Sequence, residues 1–241
     1  MGASTRSSAR LCRALAVAGA ALAAACSQGG GDSAARVAES PQQLRAESEA
    51  YARQPVAELT ANPTAMELAN RLFLTHCGSC HGEDGRASRG VVDLVAGRYN
   101  YGDSEDAIRT TIAQGRKSVM PPMRESKLGE VDVGQLVSYV QSLSASAGAQ
   151  PTDYQKRGKM LFTEHCAACH GEDGTGDTTK GAPDLTDSYW EHGDSMMNVR
   201  RVISGGEQSE SPAFGAKLSP TEIDLLTAYI RSRHRGEQPG S

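Results

Sequence analysis

The sequence predicts an all-α fold made of two copies of one small unit. Two observations carry this. A stretch of about 80 residues occurs twice in the 241-residue chain. Each copy opens and closes with apolar residues at helical spacing, around a middle rich in Gly, Pro and Asp.

The chain starts with a targeting segment, residues 1–25. Arg6, Arg10 and Arg13 form a basic start, and "ALAVAGAALAAA" is a short apolar run of small residues. It ends at Cys26 in "LAAAC", which resembles a bacterial lipoprotein cleavage box. Lipidation of Cys26 accounts for a thiol that would otherwise stand unpaired in an oxidising compartment. Its acyl chains would hold the protein on the periplasmic side of a membrane. The other reading is a plain secretory signal and a soluble periplasmic protein. Residues 26–62 are rich in Gly, Ser, Ala and charge and read as a flexible tether. Removing the leader takes three arginines from 25 basic residues and leaves 22 against 29 acidic ones, a balance of −7. That argues against a nucleic-acid partner.

The first unit spans residues 63–146 and the second 152–235, joined by the linker-like "SASAGAQPTD" at 144–153. "CGSCH" at 77–81 matches "CAACH" at 166–170, and both continue as "GEDG". "GVVDLVAGRYNYGDS" matches "GAPDLTDSYWEHGDS", and "KLGEVDVGQLVSYVQS" matches "KLSPTEIDLLTAYIRS". Asn62 and Thr152 are placed to cap the first helix of each unit, with proline nearby. Leu68, Leu72 and Phe73 share a stripe on the first helix, as do Ile223, Leu226 and Ile230 on the last. Units this small have too little apolar surface for comfortable stability, so something large and apolar must fill each middle.

The filler is written in the cysteines. C-x-x-C-H is the attachment signature of c-type haem. Two sulfurs, from Cys77 and Cys80 or from Cys166 and Cys169, add to the two haem vinyl groups. The following His81 or His170 is then set to bind iron as the proximal ligand. A zinc site would need four donors and would leave each pair searching for another. Two covalent haems are expected, and no EF-hand-like calcium spacing is present.

These motifs resemble class I cytochrome c domains. "GAPDLTDSYW" is similar to the dihaem c subunit of cbb-type haem-copper oxidases; a lipidation box stands where that subunit usually has a membrane helix. The resemblance implies that Ala69 and Gly158, eight residues before each first Cys, let the last helix cross closely. Tyr139 and Tyr229 would be the crossing aromatics, and the Trp190 ring would reach a haem propionate. In "GRKSVMPPM" it makes Met120 the sixth ligand of the first haem, with Met123 as rival. "SPAF" at 211–214 is the matching stretch of the second unit, so Ser211 stands where a ligand belongs. The second haem is then open or water-bound, or takes Met196, Met197 or His192. His76 and His165 are expected to pack near the haem edges, and His234 falls in a basic tail.

The expected function is single-electron transfer between respiratory or dehydrogenase partners, such as an oxidase, a dehydrogenase or another cytochrome. No acid–base pair, nucleophile or substrate motif marks an enzyme. The alternative is a haem enzyme or gas-binding sensor that uses an open second haem.

Overall fold

The computed structural model describes residues 40–87, 90–126, 128–145 and 150–234. Leader and Cys26 lie outside these residues. The all-α expectation holds, with one small sheet added. Among the described residues no helix is long and apolar enough to cross a membrane.

Residues 41–61 correct the tether expectation. They fold as helix α1 (Pro41–Ser48), a 3-10 turn (Glu49–Tyr51) and helix α2 (Val56–Ala61). Ser40 and Gln43 form a capping box that fixes the start of α1. Leu44, Val56 and Leu59 are buried in a shared core with later helices. The composition is polar, but three well-placed apolar side chains suffice to dock it.

In the first repeat, helix α3 (Pro63–His76) is capped by Asn62, whose side chain accepts from the N–H groups of Thr64 and Ala65. A short helix α4 (Gly78–His81) carries the first motif. Helix α5 (Glu105–Gln114) follows, capped by Ser104. Strand β1 (Arg116–Met120), a 3-10 turn (Met123–Glu125) and helix α6 (Glu130–Leu143) complete it. The second repeat has the same order: α7 (Asp153–His165), α8 (Ala167–His170), α9 (Met196–Gly205), β2 (Glu207–Ser211) and α10 (Pro220–Arg233). Capping boxes at Thr152/Gln155 and Ser219/Glu222 set the starts of α7 and α10.

The repeats are contiguous, but the cores are not. The last helix of each repeat packs on the first helix of the other. One core joins Leu68, Leu72 and Phe73 of α3 to Ile223, Leu226 and Tyr229 of α10, with α1 and α2 beside them. The other joins Leu136, Val137 and Val140 of α6 to Leu161 and Phe162 of α7 and to Val199 and Ile203 of α9. Tyr229 donates to Asn70 at 2.7 Å, 159 positions away, and its ring lies 5.1 Å from Phe73. Tyr139 meets Phe162 at 5.4 Å in the other core. At the α6/α7 crossing a Cβ on Gly158 would stand 2.1 Å from the Gln135 carbonyl oxygen, so only glycine fits.

The exchange happens at the sheet. β1 and β2 run antiparallel, with Arg116 opposite Ser211 and Met120 opposite Glu207. Gly115 and Gly206 precede the two strands with φ of 70° and 71°. A Cβ at Gly115 would sit 2.4 Å from the Ser211 carbonyl oxygen, and one at Gly206 2.5 Å from that of Met120. Each glycine therefore permits close approach to the far end of the partner strand. Past the sheet, each chain segment enters the other core.

Candidate haem sites

Both C-x-x-C-H motifs take the same shape. The first helix ends, and the chain makes one further helical turn. His81 and His170 donate their backbone N–H to the carbonyls of Cys77 and Cys166, each at 3.0 Å. Gly82 and Gly171, at φ of 74° and 77°, then turn the chain away. In each motif one thiol faces inward and one is exposed. Burial pushes the inner thiols, Cys77 and Cys166, up to about 11.

The imidazoles are held by their far nitrogens. Nδ1 of His81 is 3.1 Å from the Val92 carbonyl, and Nδ1 of His170 is 3.2 Å from that of Pro183. A carbonyl only accepts, so Nδ1 carries the proton and Nε2 keeps its lone pair for a metal. Burial lowers both imidazole pKa values, which favours the neutral ring that can ligate.

A cavity of about 480 Å³ opens beside His170. Phe162, Val199, Ile203 and Trp190 supply apolar wall, and Cys166 and Cys169 stand at its edge. An apolar space bounded by two thiols and a neutral imidazole fits a covalently attached haem. On the His81 side, Cys77, Leu94, Ile112 and Phe214 pack against the core of α3 and α10.

The far-side residues are exchanged between sites. Met120 lines the His170 cavity and packs on the α6/α7 core. The sequence assigns it to the first haem; β1 instead carries it across the sheet to the His170 side. Buried Met123 lines the same cavity. The "SPAF" stretch crosses the other way. Phe214 packs on the α3/α10 core, donates its N–H to the Ile112 carbonyl at 2.9 Å and has its ring 6.4 Å from that of His76. Ser211, at the end of β2 and three residues before Phe214, thus leads into the α3/α10 core and does not line the His170 cavity.

The alternative ligands fare differently. Met196 and Met197 are 61 % and 81 % exposed on the first turn of α9, and neither lines the cavity, so exposure removes them as ligands. His192 does line it, with Nε2 3.8 Å from a carboxylate oxygen of Glu207, the strand partner of Met120. His165 and Trp190 also border the cavity. His234 lies at the end of α10 with its ring 6.1 Å from Tyr99.

One connection was not foreseen. The Tyr189 hydroxyl accepts the N–H of Asp93 at 2.9 Å. The Val92–Asp93 peptide therefore serves His81 on one side and Tyr189, a wall residue of the His170 cavity, on the other. Tyr189 aligns with Arg98 in the first repeat, so the duplication itself held no hint of it.

Comparison with known proteins identifies both repeats. Residues 64–140 match the family described as cytochrome c oxidase, cbb3-type, subunit III, and residues 155–234 match the cytochrome c family. The chain is 38 % identical over 183 residues to the cbb3-type cytochrome c oxidase subunit CcoP of Rubrivivax gelatinosus, covering 76 % of this chain and 59 % of that protein. It is 32 % identical over 208 residues to subunit FixP of Azorhizobium caulinodans, covering 81 % of this chain and 71 % of that one. The chain thus spans between about three-fifths and seven-tenths of these relatives' length.

Proposed function

Because the chain belongs to the CcoP/FixP family of tandem cytochrome c proteins, we propose that it carries single electrons on the periplasmic side of a bacterial membrane, through two covalently held haems. The observation that supports this best is the paired set of Nδ1-anchored imidazoles, each one turn after a C-x-x-C pair. When bound, c-type haem supplies a one-electron couple at iron. Cys77, Cys80, Cys166 and Cys169 would fix the two rings covalently. His81 and His170 would present Nε2 to the metal, since the Nδ1 proton is held by a backbone carbonyl. Met120 would give its thioether on the His170 side, with the apolar walls excluding water.

Cys26 would carry the lipid that keeps the protein at the membrane. Redox partners would be an oxidase, a dehydrogenase or another cytochrome; a cbb3-type oxidase is first among these because the relatives carry that name. The mass of the denatured chain tests the core of the proposal. Two haem additions are expected, and one or none would sink it.

A further inference from the structure

We infer that the haem held at His81 keeps an exchangeable sixth position, and that it takes up a small ligand of the carbon monoxide, nitric oxide or cyanide class. The inference rests on the two-haem reading above.

The two strands deliver unlike residues to equivalent points. Met120 ends β1 and Ser211 ends β2. Each strand is preceded by a left-handed glycine and leads into the opposite core. What reaches the His170 side is a long, flexible side chain ending in a soft thioether donor. What leads into the α3/α10 core, against which Cys77 of the first C-x-x-C-H motif packs, is a serine, whose hydroxyl is one bond from Cβ and is a poor donor to haem iron. Pro212 and Phe214 follow it, and Phe214 still packs on the core as its counterpart Met123 does in the other. The loop is therefore held in place without its ligand.

Among the described residues few other donors can replace it. Met66 packs on the same core. It lies eleven residues before Cys77 on α3, about 16 Å along the helix axis, too far to reach the iron. Met196 and Met197 stand on α9, which belongs to the other core. His76 is engaged with the Phe214 ring. His234 packs over Gly97, with ring atoms 1.8 Å from where a Cβ on that glycine would be. Either imidazole would have to leave its packing to ligate.

The test uses the full holoprotein, first weighed to confirm two haems. The reduced protein is titrated with carbon monoxide and followed optically. One equivalent per chain is expected. Ser211→Met should abolish uptake and produce a second low-spin, thioether-ligated signal, while Met120→Ala should raise uptake to two equivalents. Cys77→Ala/Cys80→Ala should remove the binding haem, and Cys166→Ala/Cys169→Ala should spare it. Should those attachment variants fail to fold, methyl-labelled methionine in the intact reduced protein locates the site. The ring-shifted Met120 methyl should show magnetisation transfer to Phe162 or Val199. Fewer than two haems by mass would overturn the functional proposal. Two haems with no carbon monoxide uptake, uptake unchanged in Ser211→Met, or a spin-resonance spectrum of paired imidazoles at one haem would overturn this inference alone.

Discussion

The Arg45 guanidinium lies 3.2 Å from the Glu222 carboxylate, joining the helix that precedes the repeats to the start of the last helix. Glu222 is 2 % exposed and Arg45 49 %. The same carboxylate accepts the Ser219 N–H in the capping box at 2.6 Å, and Arg45 also donates to the Lys217 carbonyl. Truncating one partner of a fully buried pair costs roughly 3–5 kcal/mol, but water reaches this arginine. Arg45→Ala should therefore destabilise by about 1–2 kcal/mol, read from the urea midpoint, with Arg45→Lys recovering part of the loss. An unchanged midpoint would show that α1 merely rests on the core.

Gly158 makes a sharper test of the α6/α7 crossing. An added methyl would meet the Gln135 carbonyl at 2.1 Å and the Tyr139 Cβ at 2.8 Å, both on a packed helix. Gly158→Ala should cost about 1–3 kcal/mol, the range for overpacking. At the other crossing Ala69 is already accommodated and buried. Ala69→Gly should cost about 1 kcal/mol through helix propensity and lost contact. Thermal melts followed by circular dichroism would rank the two, and equal losses would contradict the difference in fit.

Met120→Ala should lower the reduction potential of the haem at His170 and leave that at His81 unmoved, since a thioether favours ferrous iron. Met123→Leu should leave both unmoved. A spectroelectrochemical titration decides. If Met123→Leu removes the thioether signal instead, Met123 is the ligand.

Tyr189→Phe removes an acceptor from the Asp93 N–H, at a cost of about 1–3 kcal/mol if nothing replaces it. The loosened peptide also carries the Val92 carbonyl that orients His81. The expected outcome is a shift in the potential of the haem at His81 and slower electron exchange between haems after flash photolysis. The haem at His170, whose cavity wall includes Tyr189, should shift less than the haem at His81. Equal shifts at both would point to general loosening.

Much of this was legible in the residues. Asn62, Thr152 and the apolar stripes on α3 and α10 act locally, within a few turns of one helix, and they lie where their spacing says. So do the two C-x-x-C-H turns. The pairing of helices was not legible. Ala69 and Gly158 announce a close crossing, and Tyr139 and Tyr229 announce an aromatic partner. In a duplicated chain those signals are the same whether the last helix folds back or crosses over. That ambiguity sent Met120 to the wrong core and hid the position of Ser211. The docking of residues 41–61 was missed for another reason. Leu44, Val56 and Leu59 are too few to lift a polar composition, yet each is buried.

The exchange through β1 and β2 makes this molecule a fused version of a swapped dimer, with each repeat acting as one protomer. Cutting the peptide between residues 145 and 150 should not release two halves, because each fragment would still hold the other's closing helix. Nor can the core around α3 be completed during synthesis until α10 has emerged, some 150 residues later, a long wait by the measure of contact order. The first haem pocket is begun first and finished last.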